Sequence, residues 1–325
     1  MSERPSVSIL LLCWKDERYI RDALAGALAQ TVPCEIIVSN DCSDDRTFEI
    51  AQEIVAGYVG PHRVSVRRNA RNVGVAEHVN LTVPLTTGDI VVMMAGDDIA
   101  YPHRVAETLE AFASDPEVMI VGGGFDGIDE AGNPHPLRFR ERPEPFGLDA
   151  YVRAGRLIGL LGATIAFRRA VFDRFGPIVG PIEDNALSLR GALLGTCQQL
   201  SRKLIRYRQH SGSVSAGVFA RAESPEVAMR RRYERTIRFY RGTADDLEQS
   251  AAQLPEMSEE RRRLVQDIVA MYRIEADARE ALLDRPRSQW LGPIWRGLMQ
   301  RGLRRKSAER AIKLVLPRRW IGLRP

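Results

Sequence analysis

A strand-length run of apolar residues that ends in two carboxylates is the strongest constraint on the fold. Residues 90–98 read Ile-Val-Val-Met-Met-Ala-Gly-Asp-Asp. Such a run is typical of a strand buried on both faces, and strands of this kind lie inside parallel sheets covered by helices. Ligands bind at the carboxyl ends of those strands. The run therefore predicts an α/β fold, with Asp97 and Asp98 either at a binding edge or in an ordinary polar turn.

Strand and helix patterns alternate around this run. Predicted strands cover residues 6–13, 35–39, 64–67 and 118–122, and predicted helices cover 17–29, 48–55, 75–83 and 102–113. Alternation with short connections is typical of a mainly parallel sheet flanked by helices. The first half of the chain therefore predicts a doubly wound α/β domain.

The pattern changes after Gly122. The sequence predicts a hairpin turn at 129–133, a loop at 134–145, strands at 162–167 and 204–207, and helices at 169–175 and 183–194. Strand patterns then stop, and helical patterns cover 225–241, 258–283 and a basic tail. We predict an α/β domain over residues 1–217 and a helical C-terminal region over residues 218–325.

Composition excludes several classes of protein. The 325 residues suggest about two domains, and no apolar run approaches the roughly 18 residues of a membrane-spanning helix. The four cysteines lack the Cys-x-x-Cys spacing of a zinc site and are too few for a disulfide scaffold. A reducing compartment fits best, and we expect the protein to be cytoplasmic.

Three acidic clusters occur where a predicted strand ends or a predicted helix begins. They are residues 41–45, Asp97-Asp98 and Glu183-Asp184. In a parallel sheet the first two clusters share one edge, and the third could face them across a pocket. The glycine patterns of dinucleotide and triphosphate loops are absent, so a phosphate would be held through a metal ion. One or two carboxylates plus substrate phosphates suit Mg²⁺ or Mn²⁺.

Six segments follow one another in an order that a known enzyme family shares. They are residues 7–10 leading into 16–20; residues 35–47; Asn69, Asn72 and Gly74 with residues 87–89; Gly96-Asp97-Asp98; residues 183–195; and residues 207–210. In these segments the chain resembles family 2 glycosyltransferases of the GT-A fold, from Ser6 to about Ser215.

The resemblance implies an inverting glycosyltransferase that uses a nucleotide diphosphate sugar, with UDP as the expected nucleotide. The implied acceptor is a hydroxyl of a glycan or a lipid-linked glycan in polysaccharide biosynthesis. The implied site comprises Asp184, with Glu183 as second choice, as catalytic base; Asp41, Asn40, Asn72 and Asp97 for the nucleotide; and Asp97, Asp98 and His210 for Mn²⁺ or Mg²⁺.

The chain departs from the family pattern at three positions. Asn40 replaces the first Asp of the nucleotide segment, Cys42 replaces its Gly, and Ala95 replaces the first Asp of the D-x-D motif. The loss of an acid at position 95 predicts weaker metal affinity or the use of His210 as an extra ligand. It also leaves open a catalytically silent relative that binds nucleotide sugar or scaffolds a membrane-associated assembly.

Four of the candidate residues also have a purely structural explanation. Asp41 suits an Asx turn or a helix cap, and Asp98 could cap the helix near Pro102. Asp184 near a helix start would be favoured by the helix dipole. His210 could lie in a surface loop without contacts.

The C-terminal tail carries the basic charge of the chain. Residues 286–325 contain eleven Lys or Arg and one acid, whereas the first 285 residues carry a net charge of −5. Six apolar residues are expected on one side of a helix: Trp290, Leu291, Ile294, Trp295, Leu298 and Met299. A basic helix with Trp and Leu is typical of an anionic membrane interface. We predict that residues 288–320 bind the inner face of a membrane. The alternatives are that these helices pack on the catalytic domain or on a second subunit. Nucleic acid is not expected to bind.

Overall fold

A computed structural model of the chain describes residues 5–137, 145–212 and 225–315. Its centre is a sheet of eight strands in the order β3-β2-β1-β4-β7-β6-β8-β5. The strands are β1 Val7–Cys13, β2 Glu35–Asn40, β3 Arg63–Arg68, β4 Ile90–Ala95, β5 Ile99–Ala100, β6 Val118–Ile128, β7 Ala166–Arg168 and β8 Thr196–Arg208. The first four strands are joined by crossover connections, as the alternation of strands and helices in the sequence predicts.

Helices cover the sheet and form the C-terminal region. They are α1 Ile20–Leu28, α2 Thr47–Ala56, α3 Val75–Thr82, α4 Arg104–Ser114, α5 Leu148–Ala154, α6 Arg169–Phe175, α7 Glu183–Leu194, α8 Pro225–Ala252, α9 Glu259–Asp284, α10 Leu291–Met299 and α11 Arg304–Val315. The buried faces of the strands contact helices on both sides, in two large apolar clusters. The predicted GT-A arrangement of a mainly parallel sheet between helices, followed by a helical region, is confirmed.

The strand directions bring four strand ends to one edge of the sheet. β1 is parallel to β2 and to β4. β7 is antiparallel to both β4 and β6, so β6 regains the direction of β4, and β8 is parallel to β6. The carboxyl ends of β1, β2, β4 and β8 therefore meet at the same edge, where we predicted a binding site.

Three predicted strands were wrong in their extent. The strand predicted at residues 118–122 continues to Ile128 as β6. Residues 162–167 contain a 3₁₀ turn, Gly162–Thr164, and only then the short strand β7. The predicted strand at 204–207 is the end of the 13-residue β8, whose polar first half pairs with β6. Short apolar runs led to these predictions, and polar strand segments carry no signal of the same kind. The elements β5 and α5 were not predicted.

The helical C-terminal region shares its core with the sheet domain. Leu187 of α7 belongs to the same apolar cluster as Leu247 of α8 and Ile268 of α9. Arg190 of α7 makes a buried ion pair with Asp246 of α8 at 2.6 Å. The predicted boundary at residues 217 and 218 lies outside the described residues and stays a prediction.

The six apolar residues that we expected on one side of a helix are divided in the structure between the protein and the outside. Trp290 and Ile294 are buried in a cluster with Leu282 of α9, whereas Trp295 and Met299 are more than 60% exposed. Each turn of α10 therefore divides its apolar residues between the protein and the outside. No helix in the described part of the chain has the length and apolar character needed to cross a bilayer.

Candidate active site

Gly96 lets the loop after β4 approach the end of β1. A Cβ atom at position 96 would lie 2.4 Å from Asp16 Oδ2 and 2.6 Å from Cys13 Cβ. Asp16 is itself fixed, because its Oδ2 accepts a 2.8 Å hydrogen bond from the main-chain N–H of Trp14. Residue 96 must therefore lack a side chain for Asp97 to follow β4 at this position.

His210, which follows β8, meets Asp97, which follows β4. His210 Nε2 lies 3.0 Å from Asp97 Oδ2, and the imidazole packs on the ring of Tyr19 at a centroid distance of 4.6 Å. The side chains of Asp97 and His210 are 19% and 9% exposed. The two predicted metal ligands thus form a partly buried pair at the sheet edge.

The hydrogen bonds of His210 select its tautomer. The main-chain N–H of Gly212 donates to His210 Nδ1 over 3.2 Å. An amide N–H can only donate, so Nδ1 carries no proton and a neutral imidazole has its proton on Nε2. His210 then donates to Asp97 and orients that carboxylate, and ligation of a metal through Nε2 would require removal of this proton.

Asp98 points into the protein, away from the edge where Asp97 lies. It is 1% exposed, and its Oδ1 accepts a 2.8 Å hydrogen bond from the main-chain N–H of Arg208. Its buried Oδ2 has no hydrogen-bond partner within the described residues. Burial, together with the charge of Asp97, raises the pKa of Asp98 well above its usual range. Asp98 therefore anchors the loop from inside, and its predicted role as a metal ligand stays a prediction.

The Arg208 side chain joins the loop of Asp97 and Asp98 to two neighbouring segments. Its Nε donates to the carbonyl of Asp97 at 2.8 Å, and one terminal nitrogen donates to the carbonyl of Glu130 at 3.1 Å. The other terminal nitrogen lies 3.0 Å from Asp22 Oδ2 in α1. The confirmed hairpin turn at residues 129–133 is thereby held against the site.

Asp41, after β2, fixes the loop that borders the nucleotide side of the predicted site. Its carboxylate accepts hydrogen bonds from Asn69 Nδ2 at 2.7 Å and from the main-chain N–H groups of Val73 and Gly74, the latter at 2.9 Å. Gly74 precedes α3, so these are N–H groups at a helix start. A base N–H or a ribose hydroxyl would bind Asp41 in exchange for one of these donors.

A partly buried network of polar side chains supports that loop. Arg67 donates to Asn69 Oδ1 at 2.7 Å and to Ser39 Oγ at 2.6 Å. Ser39 Oγ lies 2.7 Å from His78 Nε2, and burial lowers the pKa of His78 to about 4. A neutral imidazole, an arginine and an amide thus fix the position of Asp41.

The two asparagines of the predicted nucleotide site differ in exposure. Asn40 is fully buried and binds Ser43 through both its Nδ2, at 2.7 Å, and its Oδ1, at 2.9 Å. It shapes the turn after β2. Asn72 is exposed, and its Nδ2 reaches the carbonyl of Asp41 at 3.3 Å. Only Asn72 has a side chain that a ligand could contact without rearrangement of this turn.

Glu183 and Asp184 form the first turn of α7. Asp184 Oδ1 accepts from the main-chain N–H of Asn185 at 2.6 Å, and the main-chain N–H of Gly162 also lowers the pKa of this carboxyl. A Cβ atom at position 162 would lie 3.2 Å from Glu183 Oε1. Both acids therefore lie against the Gly162 turn.

The turn at Gly162–Thr164 lies against the second half of β4. The main-chain N–H of Met93 donates to the carbonyl of Ile165 at 2.9 Å, and buried Arg104 donates to the carbonyl of Ala163 at 2.9 Å. Met93 precedes the loop of Asp97 by four positions. The turn that contacts the third acidic cluster therefore packs on β4, and the role of Asp184 as catalytic base stays a prediction.

Burial gives the two acids of α7 unequal proton affinities. It raises the pKa of Asp184 to about 6, against the hydrogen bonds from Asn185 and Gly162 that lower it. Burial and the charge of Asp184 raise the pKa of Glu183 to about 8. Between these values Asp184 is ionised while Glu183 carries a proton, so Asp184 is the stronger candidate for a base at neutral pH.

The donor set at the end of β4 fits a divalent ion that is bound largely by its substrate. Among residues 5–137, 145–212 and 225–315, no three His, Cys, Asp or Glu side chains are grouped so that they could hold a metal by themselves. Mg²⁺ needs only one or two protein carboxylates when phosphates complete its shell. Asp97, partly exposed and oriented by His210, is the carboxylate that fits this role.

Several residues of the site were missed in the sequence. Asp16 is 8% exposed, and burial together with the charge of Asp97 raises its pKa to about 7. Its proximity to Asp97 depends on the close approach at Gly96, which no local pattern reveals. Arg67 and His78 lie on different elements and were likewise missed. Arg208 could have been found in the sequence, because it is a charged residue at the end of a predicted strand and directly precedes the Gln209-His210 motif.

A family model matches this chain. The model for glycosyl transferase family 2 matches residues 8–176, more than half of the chain and the part that carries Asp16, Asp41 and Asp97. A Bacillus subtilis protein named as glycosyltransferase EpsE is 27% identical over 146 residues, which cover 45% of this chain and 52% of that protein. A Nostoc protein named as an uncharacterized glycosyltransferase is 23% identical over 220 residues, covering 64% of this chain and 66% of the other.

The match to these relatives is partial. An uncharacterized protein of Mycobacterium tuberculosis strain H37Rv is 26% identical over 216 residues, or 60% of its length. The chain thus spans between half and two thirds of the curated relatives named here.

Solved structures share the fold over nearly the whole chain. Residues 1–349 of Staphylococcus aureus TarS in complex with UDP-GlcNAc superpose with a TM-score of 0.55 and 16% identity, covering 94% of this chain and 92% of that one. The mannosyltransferase PcManGT of Pyrobaculum calidifontis, in complex with GDP-Man and Mn²⁺, gives a TM-score of 0.54 and 16% identity, covering 95% and 85%. At this identity the likeness concerns the fold.

Proposed function

Because the chain belongs to glycosyltransferase family 2, we propose that it transfers a sugar with inversion from a UDP-sugar to a hydroxyl of a glycan or lipid-linked acceptor. The observation that carries the proposal is the pairing of Asp97 with His210 at the carboxyl edge of the sheet, together with the position of Asp184 against the Gly162 turn that packs on β4. The region that matches the family extends from β1 to β7 and includes the ends of β1, β2 and β4 at this edge.

The nucleotide would bind where β1 and β2 end. Asp41 and the exposed amide of Asn72 offer polar contacts for the base or ribose. The hydrogen bonds of Arg67 hold their loop in place. Rigid positioning of donors and acceptors is what gives such a site selectivity between bases. TarS and PcManGT, bound to UDP-GlcNAc and GDP-Man, support a nucleotide sugar as the donor.

The diphosphate would lie beside Asp97. Its negative charge increases when the bond to the sugar breaks, and a bound Mn²⁺ or Mg²⁺ stabilises that charge as a Lewis acid. Asp97 would hold this ion, and the proton on His210 Nε2 fixes the orientation of the carboxylate. Asp16 adds a second acidic group nearby, and its burial and the charge of Asp97 raise its pKa to about 7.

Asp184 would deprotonate the acceptor. A carboxylate with a pKa of about 6 is ionised at neutral pH and still basic enough to take a proton from a hydroxyl as that hydroxyl attacks. Attack from the face opposite the leaving diphosphate forms the new glycosidic bond while the bond to the diphosphate breaks. This single displacement inverts the anomeric carbon.

The four free thiols of the chain support a reducing compartment for this reaction. We propose the cytoplasmic side of a membrane as the location, in the synthesis of a surface polysaccharide or lipid-linked glycan. A catalytically silent relative would bind the nucleotide sugar in the same place without turnover.

Calorimetry of the full chain with UDP, with and without Mn²⁺, tests the site. We expect Mn²⁺ to strengthen binding of UDP in the wild-type protein and to have no effect in Asp97→Ala. Glu49→Ala, an exposed acid on α2, is the matched control and should behave as wild type. Metal-independent binding that Asp97→Ala leaves unchanged would overturn the assignment.

A screen of nucleotide sugars for release of the nucleoside diphosphate tests the activity. Turnover of one donor, lost in Asp97→Ala, is the expected result. If the protein binds UDP but turns over no donor, even when an acceptor is supplied, the result would favour the catalytically silent relative.

A further inference from the structure

Helix α10 presents an apolar stripe to the outside. Leu291, Trp295 and Met299 are four residues apart and are 58%, 65% and 67% exposed. Residues at this spacing lie above one another on one helix face. A surface helix ordinarily presents polar residues on its outer face, so this stripe requires an explanation.

The inner face of α10 already has its packing partners. Trp290 is 1% exposed and Ile294 is 6% exposed, and both belong to a cluster with Leu282 of α9. Gly297 lies against Ser307 of α11 so closely that a Cβ atom would be 2.1 Å from Ser307 Oγ. The helix therefore packs on the protein through its other face.

Basic residues follow the stripe closely in the sequence. The exposed residues Arg301 and Arg304 have no acidic partner among the described residues, whereas Arg296 pairs with Asp277 at 2.8 Å. Ile312 of α11 is also 60% exposed. The ten residues that follow α11 add Trp320 and three arginines. Exposed apolar groups and cationic charge therefore occur together at this end of the chain.

We propose that the outward face of α10 docks in the interface of an anionic lipid membrane. Leu291, Trp295 and Met299 would enter the boundary between headgroups and acyl chains, and Arg301 and Arg304 would contact the lipid phosphates. This assignment narrows the predicted region 288–320 to one face and excludes Trp290 and Ile294 from the lipid contact. The membrane contact itself does not depend on the proposed function. Only its purpose, which is access to a lipid-linked acceptor, rests on that function.

Charge favours a membrane over the other possible occupants. Pairing of this face with a second copy would bring Arg301 and Arg304 of both chains together, and like charges oppose such contact. A nucleic acid would satisfy the arginines but would leave the Leu291–Trp295–Met299 stripe in water. An anionic bilayer satisfies both parts of the face.

Flotation of the full chain with vesicles tests the proposal without any need for turnover. The vesicles are phosphatidylcholine alone or an equimolar mixture with phosphatidylglycerol. We expect the wild type to float with the mixture, and Leu291→Ser/Trp295→Ser/Met299→Ser to lose at least tenfold in the partition coefficient. Val59→Ser/Leu81→Ser/Leu85→Ser, which removes three exposed apolar residues elsewhere, is the matched control and should float as wild type.

A second pair of variants tests the charge. Arg301→Gln/Arg304→Gln should weaken flotation and reduce its salt dependence, because each cation near an anionic surface contributes roughly a fivefold factor in partitioning. Arg71→Gln/Arg263→Gln, with two exposed arginines outside α10 and α11, should leave flotation unchanged. Equal flotation of the stripe variant and the wild type would overturn the proposal. So would a concentration-dependent dimer, measured by light scattering, that the stripe variant abolishes.

The same variants separate this proposal from the proposed function. Binding of UDP and donor turnover, measured without vesicles, should be the same in the stripe variant and the wild type. If neither protein turns over any donor but only the wild type floats, the membrane proposal stands and the enzymatic one fails.

Discussion

The main-chain N–H of Arg208 donates a 2.8 Å hydrogen bond to Asp98 Oδ1, so the end of β8 holds the loop after β4 from inside the protein. Asp97, the preceding residue, points the other way and meets His210 at 3.0 Å. Two adjacent carboxylates thus have separate environments, one buried and one partly exposed. We infer that Asp98 supports the site and that Asp97 serves its chemistry.

Substitution of each acid by alanine should separate these roles. Asp98→Ala leaves the buried N–H of Arg208 without an acceptor, which should lower the free energy of unfolding by about 1–3 kcal/mol. Asp97→Ala removes a partly exposed side chain and should change it by less than about 0.5 kcal/mol. Urea denaturation followed by circular dichroism measures both. Equal stabilities of the two variants would contradict the anchoring role of Asp98.

The ion pair between Arg190 and Asp246 should be a large contributor to stability once one partner is removed. The side chains are 2% and 0% exposed, and Asp246 also accepts from the main-chain N–H of Val179 at 2.8 Å. Asp246→Ala would leave a buried guanidinium without its counter-charge, at a cost of about 3–5 kcal/mol. Urea denaturation of the full chain measures this loss.

The matched control is an exposed pair in the same protein. Asp149 and Arg153 form an ion pair in α5 with side chains that are 50% and 71% exposed. Asp149→Ala should cost less than about 1 kcal/mol because solvent screens the pair. A similar small cost for Asp246→Ala would show that α8 is not held to α7 by this contact.

The sequence predicted the parallel part of the sheet, but not the side-chain contacts at its carboxyl edge. Strands β1, β2 and β4 are runs of buried apolar residues, and such runs carry their own signal. The first half of β8 contains several polar residues, and it carries no such signal. The pairing of β8 with β6, which brings His210 to Asp97, is a property of the whole sheet.

Local sequence patterns also could not predict the environments of Asp97 and Asp98. Asp97 and Asp98 are chemically identical neighbours, and they are distinguished by their contacts with Arg208 and His210, more than 100 residues later. In α10 the apolar residues were recognised, but their division between the α9 contact and the outside depends on the orientation of the helix. Periodicity gives the faces of a helix and leaves open which face meets the protein.

Gly96→Ala should damage the site, because the added Cβ would lie 2.4 Å from Asp16 Oδ2. Either the Asp16 turn or the loop of Asp97 must shift, so Mn²⁺-dependent binding of UDP should fall at least tenfold in calorimetry. Gly292→Ala in α10 is the control, since a Cβ atom added there would have no neighbour within 4 Å. Alanine at that position should raise the free energy of unfolding by about 0.5–1 kcal/mol. Unchanged UDP binding by Gly96→Ala would show that the close approach is dispensable.

The unequal acids of α7 predict the pH dependence of turnover. Asp184 must be ionised to act as a base, so kcat/KM should rise with pH through about 6, the pKa to which burial raises Asp184. Asp184→Asn cannot accept the proton and should lower kcat by about 10²–10⁴. Initial rates between pH 5 and pH 9, with the donor found in the screen, measure both effects.

Glu183→Gln is the control that assigns the base to one of the two acids. Asp184 loses its proton first, while Glu183 is still neutral, because the pKa of Glu183 is raised to about 8. Removal of the Glu183 charge should therefore leave the rise near pH 6 in place and should change the rate only above about pH 8. If Glu183→Gln abolishes turnover while Asp184→Asn retains it, the base is Glu183, and the order of proton affinities derived from their burial is reversed.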